Sequence, residues 1–160
     1  MSFIPNIVGF ACQWCTYAGA DLAGNLRCKY PPTVKLIKVP CSGRVEPSFV
    51  YEALARGADG VFVGGCHFGD CHYKDGNYKT DRRMKTVRDM LDLFGFGAGR
   101  FRWDWISGAE GKKYAEVMTE YTEDLQKLGP SPLNRKAEAP GPEDVNVTLD
   151  GKKLTVMAVT

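Results

Sequence analysis

Six cysteines give this 160-residue chain its most distinctive chemistry. Five of them form two spaced pairs and a single residue: Cys12 and Cys15, Cys66 and Cys71, and Cys41. The N-terminus has no basic segment followed by a long apolar one, so we expect no secretory signal peptide and a cytoplasmic location. Cytosolic proteins rarely keep structural disulfides, and thiols grouped in this way therefore favour metal or redox chemistry.

Thiols in this pattern are compatible with three kinds of site. Four thiolates bind zinc tetrahedrally, and four thiolates also hold a [2Fe–2S] cluster. A third interpretation is thiol redox chemistry at Cys12 and Cys15, but it gives no role to the cysteines that come later in the chain. A domain with its own core does not need zinc to fold, which favours iron–sulfur. A zinc-stabilised docking module and a thiol redox protein remain the alternatives.

Three of the cysteines come within two residues of the end of a predicted strand. Short apolar runs predict these strands, and the cysteines after them are Cys12, Cys41 and Cys66, after residues 7–11, 34–39 and 60–64. In a parallel sheet with the order 2-1-3, these strand ends are neighbours, with about 4.8 Å between adjacent strands. We therefore expect one thiol cluster at the carboxyl edge of the sheet, where open α/β sheets bind ligands.

Helices are predicted between the strands. They cover residues 16–27, 46–57, 81–94 and 107–128, and a fourth strand covers residues 101–105. A Ser107–Glu110 capping box is expected to open the last helix. The alternation predicts an α/β, flavodoxin-like three-layer domain with a four-stranded parallel sheet in the order 2-1-3-4.

Glycines, one arginine and two histidines lie close to the cysteines in the sequence. The backbone N–H groups of Gly65 and Gly69 are predicted to donate hydrogen bonds to the sulfur atoms of a bound cluster. Arg44 follows Cys41 by three residues, and we predict that it contacts the cofactor. His67 and His72 each follow a cysteine directly, so we expect them to make loop hydrogen bonds rather than to bind a metal.

Composition limits the classes of function. The chain is 44% hydrophobic and carries 21 basic and 19 acidic side chains, for a net charge of +2. This charge is too small to predict nucleic-acid binding, and no apolar run reaches the length of a membrane span. Because the chain contains neither GxSxG nor a P-loop motif, we expect no catalytic residue and a protein that is not an enzyme on its own.

The C-terminal part has a different composition. Residues 1–129 form the predicted domain, residues 130–144 are a proline-rich linker, and residues 145–160 contain an Asp150-Gly151 turn between alternating apolar runs. This pattern predicts a β-hairpin. An isolated hairpin is only marginally stable in water, so we expect it to dock on a partner subunit, with docking on its own domain as the alternative.

The cysteine motifs resemble one known family, the delta, iron–sulfur subunit of methyl-viologen-reducing hydrogenase. The resemblance covers about residues 5–128, and Cys28 lies outside its cysteine motifs. It is carried by Cys12-Gln13-Trp14-Cys15, Ala20-Asp21-Leu22-Ala23-Gly24, Tyr30-Pro31-Pro32, Cys41-Ser42-Gly43-Arg44-Val45, Gly57-Ala58-Asp59-Gly60-Val61 and Gly65-Cys66-His67-Phe68-Gly69-Asp70-Cys71-His72-Tyr73.

The resemblance implies electron transfer through one [2Fe–2S] cluster. Its implied partners are a hydrogenase or formate dehydrogenase, which supplies electrons, and the flavin subunit of a heterodisulfide reductase, which bifurcates them. The motif supplies five cysteines for a four-ligand cluster. We rank Cys12, Cys41, Cys66 and Cys71 as the ligands, and we predict that Cys15 enters the first helix and turns away.

Overall fold

Four parallel strands form the central sheet. The structure is a computed structural model that describes residues 3–133, 145–149 and 152–156. The strands lie in the order β2-β1-β3-β4, and their bounds are β1 Ile7–Cys12, β2 Val34–Val39, β3 Gly60–Gly65 and β4 Phe101–Trp105. The predicted parallel sheet and its order 2-1-3-4 are confirmed.

Burial follows the position of each strand in the sheet. All six residues of β3 are buried, as its uninterrupted apolar sequence predicts for a central strand. In β2, which lies at one edge, only Val39 is buried, and both lysines are exposed. Along β1, residues Ile7 to Cys12 pair in register with Val34 to Val39 of β2, so the two strands end side by side.

Helices cover both faces of the sheet. The helices are α1 Thr16–Asn25, α2 Pro47–Ala55, α3 Gly76–Leu93 and α4 Gly111–Leu128, with short 3-10 turns at Ser42–Arg44 and Ala98–Arg100. Val61 and Val63 pack with the apolar residues of α2 and α3. Phe62, on the opposite face of β3, packs with those of α1 and α4. These three layers are those of the predicted flavodoxin-like domain.

Two helices begin at positions that differ from the prediction. α3 begins at Gly76, five residues before the predicted start, because its first turn buries the polar side chains of Asn77 and Thr80, which apolar periodicity does not reveal. α4 begins at Gly111. The predicted capping interaction is only half formed, since the Glu110 carboxylate accepts a hydrogen bond from Ser107 N at 2.7 Å.

The C-terminal segment contains the predicted antiparallel pair of strands. Strands β5 (Val145–Leu149) and β6 (Lys152–Val156) pair so that Val147 lies opposite Leu154. Most of the predicted linker, from residue 134 to residue 144, and the Asp150-Gly151 turn lie outside the described residues. Within the described ranges, no helix combines the length and the apolar character needed to cross a bilayer.

Candidate metal centre

Three thiols meet at the carboxyl edge of the sheet. Cys12 ends β1, Cys15 lies directly before α1, and Cys66 directly follows β3. Their Sγ atoms all lie within 4.8 Å of one another, and the Sγ atoms of Cys12 and Cys66 are 3.9 Å apart. All three side chains are buried. Of the three strand-end cysteines predicted to converge, Cys12 and Cys66 meet in this group, whereas Cys15 lies inside it and does not turn away from it.

A second thiol pair lies at the same edge. The Sγ atoms of Cys41 and Cys71 are 3.9 Å apart, and both side chains are buried. Cys41 follows β2 and its sulfur accepts a hydrogen bond from Gly43 N. The pair adjoins the first group, because Cys12 Sγ lies 3.9 Å from the carbonyl oxygen of Pro40. The five motif thiols therefore form a group of three beside a group of two.

The spacing of these sulfur atoms suits metal binding. Two thiolates bound at about 2.3 Å to one tetrahedral metal lie about 3.8 Å apart. The Cys12–Cys66 and Cys41–Cys71 separations, both 3.9 Å, match this spacing. The donors are all sulfur, which suits iron–sulfur clusters and zinc. Each pair therefore has the spacing of two ligands on one metal atom.

The thiols influence the ionisation of one another. Hydrogen bonds from the thiols of Cys15 and Cys66 lower the pKa of Cys12 to about 2. The thiols of Cys12 and Cys66 raise the pKa of Cys15, and burial adds to that effect. Burial is also the main cause that raises the pKa of Cys41 to about 11. Metal binding requires thiolates. Several buried thiolates side by side repel one another, and a metal cation between them would neutralise their negative charge.

The first turn of α3 lies against the thiols. A Cβ atom on Gly76 would overlap Cys41 Sγ and would lie 3.2 Å from Cys71 Sγ. Asn77, which is fully buried, donates from Nδ2 to the carbonyl oxygens of Cys66 (3.1 Å) and His67 (2.6 Å). Neither residue is among those predicted from the sequence. The apolar periodicity of α3 begins at Met84 and does not indicate either residue.

The residues predicted to contact a cofactor lie at different depths. The Gly65 carbonyl accepts hydrogen bonds from Ile106 N at 2.9 Å and from Thr16 Oγ1 at 3.3 Å. Gly69 is exposed and has a φ of +92°, a backbone conformation that favours glycine. Arg44 is exposed and lines a cavity of about 400 Å³ together with Cys41. Their contact with a cofactor remains a prediction.

The two histidines make contacts within the loops. His67 Nε2 lies 2.6 Å from Glu110 Oε2, and the ring of His72 stacks on Trp14 with 3.9 Å between the ring centroids. The hydrogen bond from Ser107 N, followed by that of His67, lowers the pKa of Glu110 to about 2. His67 thus ties the loop after β3 to the start of α4.

Half-exposed aromatic side chains lie on the loops that carry the thiols and in the first turn of α3. Trp14 and Tyr73 are each nearly half exposed, and Trp14 Nε1 donates a hydrogen bond to the Tyr73 hydroxyl at 3.4 Å. Phe68 packs against Tyr78 and Trp105 with centroid distances of 4.8 and 4.9 Å. We refer to Trp14, Phe68, Tyr73 and Tyr78 as the aromatic rim. Aromatic residues with this exposure are enriched at protein interfaces.

Comparison with known proteins shows similarity along the whole parallel domain. Residues 7–129 match the family described as methyl-viologen-reducing hydrogenase, delta subunit. The iron–sulfur subunit of the F420-non-reducing hydrogenase of Archaeoglobus profundus is 61% identical over 131 residues, which is 82% of this chain and 96% of that protein. The vhc iron–sulfur subunit of an F420-non-reducing hydrogenase from Methanococcus voltae is 52% identical over 129 residues, covering 81% of this chain and 90% of that protein.

A further relative is much longer. It is one subunit of the ferredoxin:CoB-CoM heterodisulfide reductase of Methanosarcina mazei, and it is 43% identical over 143 residues, which is 88% of this chain but 18% of that protein. A region similar to most of this chain is therefore one part of a longer polypeptide there. The resemblance that the cysteine motifs indicate is confirmed, and the chain belongs to the delta-subunit family of methyl-viologen-reducing hydrogenase.

Proposed function

We propose that this protein is an electron-transfer subunit that carries one [2Fe–2S] cluster at the carboxyl edge of its sheet. The observation that carries the proposal is the presence of two buried thiol pairs, each with its sulfur atoms 3.9 Å apart, on adjacent loops. One tetrahedral zinc would bring its four sulfur atoms to about 3.8 Å from one another, but Cys41 and Cys71 lie outside the group of thiols that are all within 4.8 Å of one another, Cys12, Cys15 and Cys66. Two pairs side by side favour a cluster with two metal atoms.

Four thiols would hold the cluster. Cys12 and Cys66 would bind one iron, and Cys41 and Cys71 would bind the other. Such a cluster accepts and releases single electrons. The buried thiols exclude water from the centre, and α3 and the loop after β3 hold the ligands in place. Cys15 adjoins the first pair and is the fifth thiol, which we propose is not required.

The protein would act between other redox subunits and would have no catalytic reaction of its own. Relatives named as hydrogenase subunits support a hydrogenase as the electron donor, and a formate dehydrogenase is the alternative donor that we propose. The similarity to part of a heterodisulfide reductase subunit supports the flavin subunit of that enzyme as the acceptor, in an electron-bifurcating complex. The aromatic rim is the surface that we propose these partners cover.

The reduced state of the thiols supports a proposal about the cellular compartment. All six cysteines are free, and reduced thiols persist in the cytosol. We propose a cytoplasmic, anaerobic setting for the working protein.

Metal and sulfide analysis tests the proposal directly. Protein purified without oxygen should be brown, with two irons and two acid-labile sulfides per chain and an EPR signal after reduction. A colourless protein with one zinc would instead support a docking module. A metal-free protein whose Cys12 and Cys15 cycle between dithiol and disulfide would support thiol redox chemistry.

A further inference from the structure

Side chains of α3 donate hydrogen bonds to both cysteine-bearing loops. Within its first turn, Asn77 Nδ2 donates to two consecutive carbonyl groups, those of Cys66 and His67. Two turns further along the same helix, Arg83 Nη1 donates to the carbonyl oxygen of Gly43 at 2.9 Å. α3 therefore connects the loop that carries Cys66 with the loop that carries Cys41, although 24 residues separate these two cysteines in the chain.

The two loops also approach the backbone of α3 very closely. A Cβ atom on Gly43 would lie 2.9 Å from the Cα atom of Gly76, and one on Gly76 would overlap Cys41 Sγ. Thr80, which is fully buried, places its Oγ1 atom 3.0 Å from Ser42 Oγ and 2.8 Å from the Gly76 carbonyl. This close packing leaves no space for a side chain at position 76.

The helix end that faces the thiols has a defined polarity. N–H groups in the first turn of a helix have no acceptor within the helix, and they form the positive end of its dipole. Gly76 and Asn77 belong to this turn of an 18-residue helix. A positive helix end attracts the negative charge of a metal–thiolate group beside it.

We propose that Asn77 and Gly76 are positioning residues that hold the two cysteine loops around one shared metal–sulfur group. Asn77 acts through the carbonyl groups of Cys66 and His67, and Gly76 acts by letting the sulfurs of Cys41 and Cys71 reach the first turn of α3. This inference rests on the proposed metal centre. Neither residue binds the metal itself.

Substitution of Asn77 tests the proposal. Asn77→Asp keeps the shape of the side chain, but it removes both donated hydrogen bonds and adds a negative charge. Asn77→Ala removes the bonds without adding charge. Both variants should lose iron during anaerobic gel filtration and give altered EPR g values. The reduction potential of the Asp variant should be the more negative, because the added charge disfavours the reduced cluster.

The matched control is Val87→Ala, which removes buried methyl groups from the same helix, far from the thiols. It should lower the unfolding midpoint but leave the iron content, the EPR spectrum and the potential as in the wild type. If it alters them as much as the Asn77 variants do, Asn77 acts only through fold stability, and the proposal fails. Native spectra in both Asn77 variants would also overturn it.

Gly76→Ala provides a second test of the same inference. The added methyl group should displace Cys41 and reduce the iron content while the circular dichroism spectrum stays native. A folded Gly76→Ala protein with wild-type iron and EPR spectra would overturn the role of Gly76. If Gly76→Ala does not fold, the Asn77→Asp and Asn77→Ala variants test the proposal without it. An iron-free wild type would overturn the proposed function as well, whereas iron-loaded wild type with unaffected variants would overturn this inference alone.

Discussion

Five buried thiols surround a centre that we propose needs four of them, so serine substitution should separate the ligands from the remaining cysteine. Cys12, Cys66, Cys41 and Cys71 form the two pairs with 3.9 Å spacing. Serine at any of these positions removes a thiolate, and we expect the iron content to fall to background. Iron and sulfide analysis after anaerobic purification is the measurement.

Two further serine variants complete this series. Cys15→Ser should retain the cluster, although its sulfur lies within 4.8 Å of Cys12 and Cys66. Cys28→Ser is the control, because Cys28 packs against the α1–α4 side of the core. Loss of iron from Cys15→Ser together with retention in Cys71→Ser would show that the ligand set has been assigned wrongly.

Glu110 should make a pH-dependent contribution to stability. Its pKa of about 2 lies below the usual value of 4.5, so its contribution is complete above about pH 4.5 and is lost as the pH falls towards 2. At pH 7, Glu110→Gln should lower the free energy of unfolding by about 0.5–1 kcal/mol, a range typical of exposed capping interactions. Chemical denaturation should show that the difference in the free energy of unfolding between Glu110→Gln and the wild type becomes smaller below pH 4.5.

The control for this prediction is Glu116→Gln. It removes the same charge from an exposed position on α4, and we expect little effect on stability at either pH. If the loss of unfolding free energy in Glu110→Gln became larger as the pH falls, the assigned direction of the pKa shift would be wrong.

At the scale of residues, the sequence was sufficient to predict which thiols meet but not how they group. Strand ends in a parallel sheet are necessarily adjacent, so the approach of Cys12, Cys41 and Cys66 follows from the strand order. The orientation of Cys15 depends on backbone angles just before α1, where φ is −139° and ψ is −84°. Such local angles carry no signal in composition or periodicity.

At the scale of elements, the same contrast applies to α3. Its apolar face, from Met84 to Leu91, predicted the helix. Its first turn is held by polar contacts of Asn77 and Thr80 with distant loops, and these contacts become visible only when the loops are in place. Tertiary hydrogen bonds therefore determine where the helix begins, beside the metal centre.

The packing of α1 gives a prediction with a matched control on one helix. A Cβ atom on Gly19 would lie 2.8 Å from the carbonyl oxygen of Ser107, whereas one on Gly24 would meet nothing within 4 Å. Gly19→Ala should destabilise the protein by about 1–3 kcal/mol, because backbone must move. Gly24→Ala should stabilise it by about 0.5–1 kcal/mol, since alanine favours the helix.

Thermal unfolding of the iron-loaded variants measures both effects. The order of the midpoints should be Gly24→Ala, wild type, Gly19→Ala, from highest to lowest. A Gly19→Ala protein as stable as the wild type would show that α1 and the loop before α4 are packed less closely than their 2.8 Å approach indicates.

At the scale of the whole molecule, the parallel domain extends slightly beyond the last helix. Arg100, which is buried, donates to the carbonyl oxygens of Gly129 and Pro130, each at 3.0 Å. Ser131 N donates to the Asp59 carboxylate at 2.9 Å. The predicted domain end at residue 129 would break these bonds, so a truncation that preserves the domain must follow Leu133.

Deletion of residues 134–160 should therefore separate cluster binding from assembly. All five motif thiols and their supporting contacts lie before residue 134, so the iron content and EPR spectrum should be unchanged. Val145 lies opposite Val156 and Val147 opposite Leu154 in the register of β5 and β6, so the alternating sequence predicts one apolar face. An isolated hairpin is only marginally stable in water, and we expect a surface that covers this face. We expect this surface on the flavin subunit, so the truncated protein should bind that subunit more weakly in a pull-down or calorimetric titration.

A full-length variant with Val147→Ser and Leu154→Ser should show the same loss of binding, which would assign the effect to the apolar face rather than to the length of the tail. Undiminished binding by both proteins would place the hairpin outside the interface, and loss of iron on truncation would place it against the domain itself.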